Sequence, residues 1–135
     1  MQSLIEEAYA MFKNDHFAVE ACGAKIKSIT DDEVVCTVEI TPKHLNAAGT
    51  VMGGAIFTLA DFTFAIAANF RKRLTVSLDS QISYLGVAKG KELIATSHCI
   101  KEGKSTCFYD ISVTDELGTQ VAKVSMTGYI MDGKK

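Results

Sequence analysis

The sequence predicts an α+β domain in which an antiparallel sheet wraps one long apolar helix. A nearly uncharged stretch at 53–70 has the length of a buried helix and carries a single acid, Asp61. Six segments that favour strands surround it, two before and four after, and residues typical of tight turns separate several of them. An apolar helix and a sheet with one apolar face bury their surfaces most simply against each other.

Before the long helix, the sequence predicts one short helix and two strands. Residues 3–15 have the spacing of an amphipathic helix, whose apolar side is predicted to hold Leu4, Ala8, Met11 and Phe12. Residues 18–29 predict a first strand. Residues 33–40 alternate as a second strand, with one face formed by Val34, Cys36, Val38 and Ile40. Thr30 to Asp32 supply the turn between the two strands.

Four strands are predicted after the helix, over 74–85, 91–101, 106–114 and 119–130. Turns at 102–104 and 115–118 predict hairpins, so strands joined by them must be antiparallel. We therefore expect a four-strand meander. In its first strand, one apolar face is predicted to hold Leu74, Val76, Leu78, Ile82 and Tyr84.

Composition narrows the class of protein. The 135 residues predict a single domain over 1–135, and 47% hydrophobic with 22% charged residues is ordinary for a globular protein. A net charge of −2 argues against a nucleic-acid-binding protein, which would be expected to carry a basic surface. Four cysteines without CxxC pairs, all in predicted strands, and no evident leader predict reduced thiols in the cytoplasm. The acid and small residues of 53–70 favour a core helix over a membrane span.

The segment from Asn46 to Asn69 carries the chemistry. The pair Gly53 and Gly54 opens the helix, and a glycine-rich helix start exposes N–H groups that can bind an oxygen anion. A carboxylate such as Asp61 is costly in an apolar helix unless it has partners or a function. Together these features predict a site that handles a carbonyl group.

These residues also carry a family resemblance. The matching positions are Asn46, Gly49, Gly53-Gly54 and Leu59-Ala60-Asp61, with weaker support from Val76–Leu85, Gly118, Val121-Ala122 and Thr127. This pattern resembles the PaaI-type acyl-CoA thioesterases, which have the hotdog fold. The family usually has histidine immediately before the two glycines, whereas this chain has Met52.

The resemblance implies roles for individual residues. Asp61 would be the general base or the nucleophile, the N–H of Gly53 would hold the oxyanion, and Asn46 and Ser77 would orient water or thioester. The resemblance further implies substrate contacts at Gly54, Met52, Gly86, Val87, Lys89, Gly103, Lys104 and Ser105. No metal or separate cofactor is implied, because coenzyme A is part of the substrate.

Each of these residues also has a plain structural interpretation. Gly53 and Gly54 would then only allow a tight turn, and Asp61 would be an acid satisfied by hydrogen bonds in a helix interface. Asn46 would make a local turn, Ser77 would be a surface serine, and the turn lysines would be solvated charges.

Spacing adds an inference about assembly. Eight residues of helix rise about 12 Å, so Gly53 and Asp61 of one chain cannot both reach one carbonyl. If both act, the site is shared across a homodimer, which the resemblance also implies; two dimers could associate further.

Two other functions remain open at this stage. A hotdog dehydratase would need a histidine near the acid, and no histidine lies between His44 and His98; we expect His44 at the surface. A non-catalytic acyl-CoA binding protein would explain Met52. An apolar tunnel for the acyl group is predicted from three aromatic and three small residues of the helix, namely Phe57, Phe62, Phe64, Ala65, Ala67 and Ala68. It is compatible with either aryl or medium-chain acyl groups.

Overall fold

The computed structural model describes residues 2–131, so Met1 and residues 132–135 of the predicted domain lie outside the described residues. Two α-helices are present, α1 (Gln2–Phe12) and α2 (Gly53–Asn69). The strands are β1 (Lys25–Ile29), β2 (Val34–Glu39), β3 (Thr75–Tyr84), β4 (Glu92–Glu102), β5 (Thr106–Asp115) and β6 (Gln120–Ile130). A π-helical turn covers Phe17–Ala21, and a 3₁₀ turn covers Pro42–His44.

All six strands form one antiparallel sheet in the order β1-β2-β4-β5-β6-β3. Helix α2 packs against five of them, β2 to β6. Its side chains and the inward-facing side chains of the strands form the core, with the largest fully buried ones including Leu59, Phe62, Phe64, Leu93, Ile111 and Met126. The predicted α+β architecture is therefore confirmed, with the sheet wrapped around α2.

A glycine in β6 lets the helix come close to the sheet. A Cβ at Gly128 would lie 2.7 Å from Cγ2 of Thr75 and 3.0 Å from Cζ of Phe64. The Phe64 ring also meets Tyr109 edge-on, with the ring centres 5.5 Å apart. Phe64 thus fills the interface between helix and sheet, and Phe62 is buried against Phe12 of α1. The predicted acyl tunnel is therefore wrong for these two rings.

Three sequence predictions about the strands need correction. The strand predicted at 18–29 is only Lys25–Ile29, because the alanine-rich segment before it closes a π-helical turn in which the N–H of Cys22 donates to the carbonyl of Phe17 at 2.9 Å. Cys22 therefore lies outside the strands. The meander is wrong for β3, which pairs with β6 and not with β4.

The connection from β3 to β4 explains this topology. It runs past the ends of the intervening strands, and the N–H of Leu85 donates to Val121 of β6 at 2.8 Å. The N–H groups of Lys89 and Gly90 then donate to Asp115 at the end of β5, at 2.8 and 2.9 Å. We call residues 85–91 the crossover segment, and a connection of this length does not require its two strands to be neighbours.

The outermost strand β3 exposes apolar side chains that the alternation placed in the core. Leu78 is 63% exposed and Tyr84 is 53% exposed. Met11 of α1 is likewise exposed, contrary to its predicted place on the apolar side. One edge of β3 pairs with β6, and among residues 2–131 no strand pairs with the other edge.

Candidate active site at the start of the long helix

Helix α2 begins with two backbone donors that the chain does not use. The N–H groups of Ala55 and Ile56 donate to the carbonyl of Met52, at 3.1 and 3.3 Å. Within the part of the chain that the structure describes, the N–H groups of Gly53 and Gly54 have no acceptor. Both donors lie at the positive end of the helix dipole, where they favour an oxygen that carries negative charge.

Gly53 is held from one side by Tyr84. The tyrosine hydroxyl donates to the carbonyl of Gly53 at 3.1 Å. A Cβ at Gly53 would lie 2.8 Å from that hydroxyl oxygen, so glycine is required for this contact. Tyr84 was not among the predicted site residues, since its place in an alternating strand indicated only a core side chain.

Asp61 lies on the one stripe of α2 that the chain leaves partly uncovered. The less buried residues of the helix recur at helical spacing along it, namely Gly54, Phe57, Thr58, Asp61 and Ala65. The carboxylate has no hydrogen-bond partner among residues 2–131. The interpretation of Asp61 as an acid satisfied by hydrogen bonds thus finds no support within the described chain.

The environment of Asp61 suits a proton acceptor. Burial raises the pKa of this carboxyl group, and the negative charge of Asp15 raises it further. A raised pKa makes an ionised carboxylate a better base toward water than an exposed aspartate.

Asn46 organises the loop that leads into the helix. Its Oδ1 accepts from the N–H groups of Ala48 and Thr50, at 3.0 and 3.1 Å. Gly49, with φ of 84°, donates its N–H to the carbonyl of Asn46 at 2.9 Å. The predicted local turn is therefore present, and the amide nitrogen of Asn46 makes no hydrogen bond within residues 2–131.

Two cavities flank the start of α2. The first, which we call the apolar cavity, has a volume of about 380 Å³ and is lined by Phe17, Ala21, Cys22, Lys43, His44, Met52, Gly54, Ala55 and Thr58. The second, the crossover cavity, has a volume of about 330 Å³ and is lined by Thr50, Val51, Gly53, Ile56, Tyr84, Gly86, Val87 and Ala88. The structure thus brings the predicted residues Gly86 and Val87 beside Gly53, and it places Met52 and Gly54 on the other side.

His44 is buried and not at the surface, contrary to our expectation. The N–H of Thr41 donates to Nδ1 at 3.0 Å, and Nε2 lies 2.7 Å from the carbonyl oxygen of Cys22. An amide N–H only donates and a carbonyl only accepts, so this network requires the tautomer with hydrogen on Nε2. Both ring nitrogens are therefore occupied. Within residues 2–131, no group of three His, Cys, Asp or Glu is placed to hold a metal ion.

Other predicted site residues lie farther away in the same chain. Gly103, Lys104 and Ser105 form the β4–β5 turn, where the carbonyl of Ser105 accepts from Ile130 at the end of β6. Ala122, near the crossover segment, is eight residues earlier on β6, which corresponds to about 27 Å of strand. Within one chain, the β4–β5 turn therefore lies too far from the crossover cavity to line it.

Two further predicted residues are exposed. Ser77 lies on the outermost strand β3, and its hydroxyl has no hydrogen-bond partner among residues 2–131. Lys89 is exposed, and its backbone N–H is bonded to Asp115.

Asp115 and Glu116 hold the crossover segment in place. Asp115 is buried, and its carboxylate also accepts from the N–H groups of Leu117 and Thr119, at 3.0 and 2.9 Å. Glu116 accepts from the N–H groups of Lys91 and Glu92. From the sequence, Asp115 was predicted only as a turn residue, because these bonds join segments that are 25 residues apart.

Comparison with known proteins identifies the class. Residues 48–122 match the family model described as "Thioesterase superfamily". The chain is 33% identical over 118 residues to acyl-coenzyme A thioesterase 13 of Homo sapiens, covering 85% of this chain and 84% of the relative. It is 35% identical over 119 residues to acyl-coenzyme A thioesterase PaaI of Escherichia coli, covering 87% and 84% respectively.

Solved structures agree with these matches. The Escherichia coli PaaI structure superposes with a TM-score of 0.85 at 29% identity, covering 95% of this chain and 96% of that one. A Streptococcus pneumoniae thioesterase solved with coenzyme A superposes with a TM-score of 0.81 at 28% identity, covering 89% and 96%. The chain therefore belongs to the thioesterase superfamily, as a hotdog-fold enzyme of the PaaI-like type. No helix in residues 2–131 is long and apolar enough to cross a membrane.

The Asp115 carboxylate makes the stability of the protein dependent on pH. Burial opposes its charge, but N–H donors from Lys89, Thr119 and Gly90 outweigh burial and hold its pKa well below the ordinary range. A lowered folded pKa contributes stability above the unfolded pKa of about 3.9, and this is lost as pH falls. We expect Asp115→Asn to unfold at lower denaturant concentration at pH 7, and its stability to fall less steeply below pH 5 than that of the wild type.

A matched control is Asp110→Asn on the same strand, whose partner Lys123 lies 3.8 Å away in a partly exposed ion pair. This variant is expected to stay within about 0.5 kcal/mol of the wild type. Equal losses in the two variants would contradict the role of Asp115.

Proposed function

We propose that this protein hydrolyses acyl-CoA thioesters to a free acid and coenzyme A, with Asp61 as base or nucleophile and the N–H of Gly53 as oxyanion donor. The observation that carries the proposal is the pair of unused N–H groups at the start of α2, on a helix whose uncovered stripe holds an unpartnered acid. The relatives named acyl-coenzyme A thioesterase support the substrate class.

The reaction follows from these groups. In the general-base route, Asp61 takes a proton from water as the water oxygen bonds to the thioester carbon. The carbonyl oxygen gains negative charge, which the N–H of Gly53 stabilises. The C–S bond then breaks, and the thiolate of coenzyme A leaves and takes up the proton. In the covalent route, the carboxylate attacks the thioester carbon and the C–S bond breaks, so that the thiolate of coenzyme A leaves and an anhydride remains. Water then opens the anhydride, which releases the free acid and restores the carboxylate.

We infer that the two groups come from different subunits. Asp61 lies about 12 Å along the helix from Gly53, too far for one carbonyl to touch both. Consider the α2 helices of two subunits, packed antiparallel and crossing at residue 57. Positions that are equally far from residue 57, on opposite sides of it, then face each other. Residue 53 of one subunit therefore lies level with residue 61 of the other. The half-buried Phe57 stands at that midpoint, on the uncovered stripe. A two-fold axis here would bury the stripe symmetrically.

The free edge of β3 supports the same assembly. A strand of ten residues that has one unpaired edge and exposed apolar side chains is a template for pairing with a second chain. Antiparallel pairing of two β3 strands would bring the β4–β5 turn of one subunit toward the crossover segment of the other. Gly103, Lys104 and Ser105 would then join Gly86, Val87 and Lys89 in contacting coenzyme A. Homodimers of this kind could pair again into a dimer of dimers.

Met52 favours a second candidate, a protein that binds acyl-CoA without hydrolysing it. Its side chain is 45% exposed and faces the apolar cavity, at the position before the two glycines. A dehydratase is less well supported, because both ring nitrogens of His44 are bonded within the chain.

Asp61→Asn tests the proposal. Because the amide cannot accept the proton or attack the carbonyl, kcat/KM for acyl-CoA hydrolysis is expected to fall by roughly 10²–10⁴-fold. Coenzyme A release is measured across a panel of acyl-CoAs, with acyl-CoA affinity measured by calorimetry in parallel. Binding without turnover in the wild type would instead support the second candidate, and Met52→His would then show whether histidine restores turnover.

The acid limb of the pH–rate profile tests the role of Asp61 independently. Asp61 must be ionised to act, so the rate falls as pH falls through its raised pKa. Asp15→Asn removes a charge that raises this pKa, so the limb should move to lower pH. Asp31→Asn, in the exposed β1–β2 turn, is the control and should leave the limb unchanged. A limb that is the same in all three proteins would count against Asp61 as the titrating group.

A further inference from the structure

Tyr84 contacts the peptide unit that joins the two glycines at the start of α2. Its hydroxyl donates to the carbonyl of Gly53 at 3.1 Å. The nitrogen of the same peptide unit belongs to Gly54, whose N–H has no acceptor in the part of the chain that the structure describes. The tyrosine therefore bonds one end of a peptide unit whose other end is an unused donor.

The other unused donor belongs to a peptide unit in a similar state. The N–H of Gly53 shares its peptide unit with the carbonyl of Met52, and that oxygen accepts from the N–H groups of Ala55 and Ile56. A hydrogen bond to the oxygen of an amide polarises the whole amide, so that its N–H becomes a stronger donor. The helix itself therefore strengthens the N–H of Gly53, and the bond from Tyr84 strengthens the N–H of Gly54.

We propose that Tyr84 is a positioning residue that holds and polarises the Gly53–Gly54 peptide unit, so that the N–H of Gly54 acts as a second oxyanion donor beside that of Gly53. This inference rests on the proposed function and adds two groups to its site. The N–H groups of a first helical turn point out of the helix start, so consecutive ones can bind the same oxygen.

The contact with Tyr84 also explains why residue 53 is glycine. Among the described glycines, only Gly23, Gly49 and Gly118 have the positive φ that favours this residue. At Gly53 the requirement is one of space, because a Cβ would lie 2.8 Å from the tyrosine oxygen and 2.9 Å from Cζ. A side chain at position 53 would push the ring away from the carbonyl and break the hydrogen bond.

The ring of Tyr84 also lines the crossover cavity, together with side chains such as Val51, Ile56 and Val87. A tyrosine that bound the substrate directly would hold it before and during the reaction, so its loss would raise KM. A tyrosine that acts through Gly54 contributes only where negative charge develops on the carbonyl oxygen, so its loss would lower kcat. The two roles therefore predict different kinetics.

Tyr84→Phe tests the proposal, because it keeps the ring and removes only the donor. We expect kcat and kcat/KM for the best acyl-CoA substrate to fall together about three- to tenfold, with KM within about twofold of the wild type. Site-specific 3-fluorotyrosine at position 84, whose hydroxyl is a stronger donor, should give a kcat equal to or above that of the wild type. A raised KM at unchanged kcat, or no change in either, would overturn the proposal.

Tyr9→Phe is the matched control. The hydroxyl of Tyr9 accepts from the N–H of Ile26 at 2.8 Å, so this variant also loses one bond between a tyrosine and the backbone, but between α1 and β1. We expect it to unfold at a lower denaturant concentration with kcat unchanged. Equal losses of kcat in the two tyrosine variants would mean that Tyr84 acts only through stability, contrary to the proposal.

Gly53→Ala gives a second test, because it keeps the N–H of residue 53 but displaces the ring of Tyr84. If the hydroxyl acts through this peptide unit, Gly53→Ala and Tyr84→Phe remove the same interaction. The double variant should then have a kcat within about threefold of Gly53→Ala alone. Losses that multiply would show that the two residues act independently, and the inference would be wrong.

The proposed function and this inference can fail separately. If the wild type hydrolyses no acyl-CoA, the proposed function is wrong, and binding still tests Tyr84. Calorimetry then compares S-carboxymethyl-coenzyme A, whose carboxylate replaces the oxyanion, with uncharged S-ethyl-coenzyme A, in the Asp61→Asn protein, which lacks the acid that would repel the ligand. The carboxylate should bind more tightly, and Tyr84→Phe should reduce that preference about three- to tenfold. No preference, or one that Tyr84→Phe leaves intact, would overturn the inference as well.

Discussion

The packing of α2 inside the sheet is the constraint on which the rest of the structure depends. Five strands contact this helix, and an isolated helix that is apolar on so many sides would be unstable in water. The sheet and the N-terminal helical segments cover most of it and leave one stripe, which contains Asp61 and ends at the free N–H groups. The same packing that builds the core therefore leaves the proposed catalytic groups uncovered, on a rigid element. A rigid helix keeps donor and acid at fixed positions, as preorganised catalysis requires.

Support for the site comes from segments distant in sequence. Tyr84 at the end of β3 bonds Gly53 at the helix start, and Asp115 at the end of β5 bonds the crossover segment. These contacts hold the loops that line the two cavities in place. The chemistry at the helix start is thus set by its neighbours as much as by its own two glycines.

The sequence was sufficient to predict the α+β architecture. Alternation in β5 and β6 matched burial, because both faces of those strands have distinct environments, one against the helix and one toward solvent. Gly53 and Asp61 were predicted from local chemistry together with the family resemblance, and their roles stay predictions. The predictions failed where long-range contacts decide the outcome: β3 pairs with β6, Phe62 and Phe64 fill the core, and His44 is buried under a loop. Tyr84 and Asp115 were missed because their partners lie more than 20 residues away.

The central claim is that Asp61 of one subunit acts with Gly53 of the other, and subunit complementation tests it most directly. One parent chain carries Asp61→Asn. The other carries Gly53→Pro, which removes the donor at a helix position that tolerates proline. Both parents also carry Tyr84→Ala to make room for the new ring, and the Tyr84→Ala protein alone serves as the reference. After the two inactive parents are mixed and allowed to exchange subunits, a shared site predicts recovery of roughly a quarter of the reference activity, because half of the dimers regain one intact site. No recovery despite demonstrated subunit exchange would contradict the account.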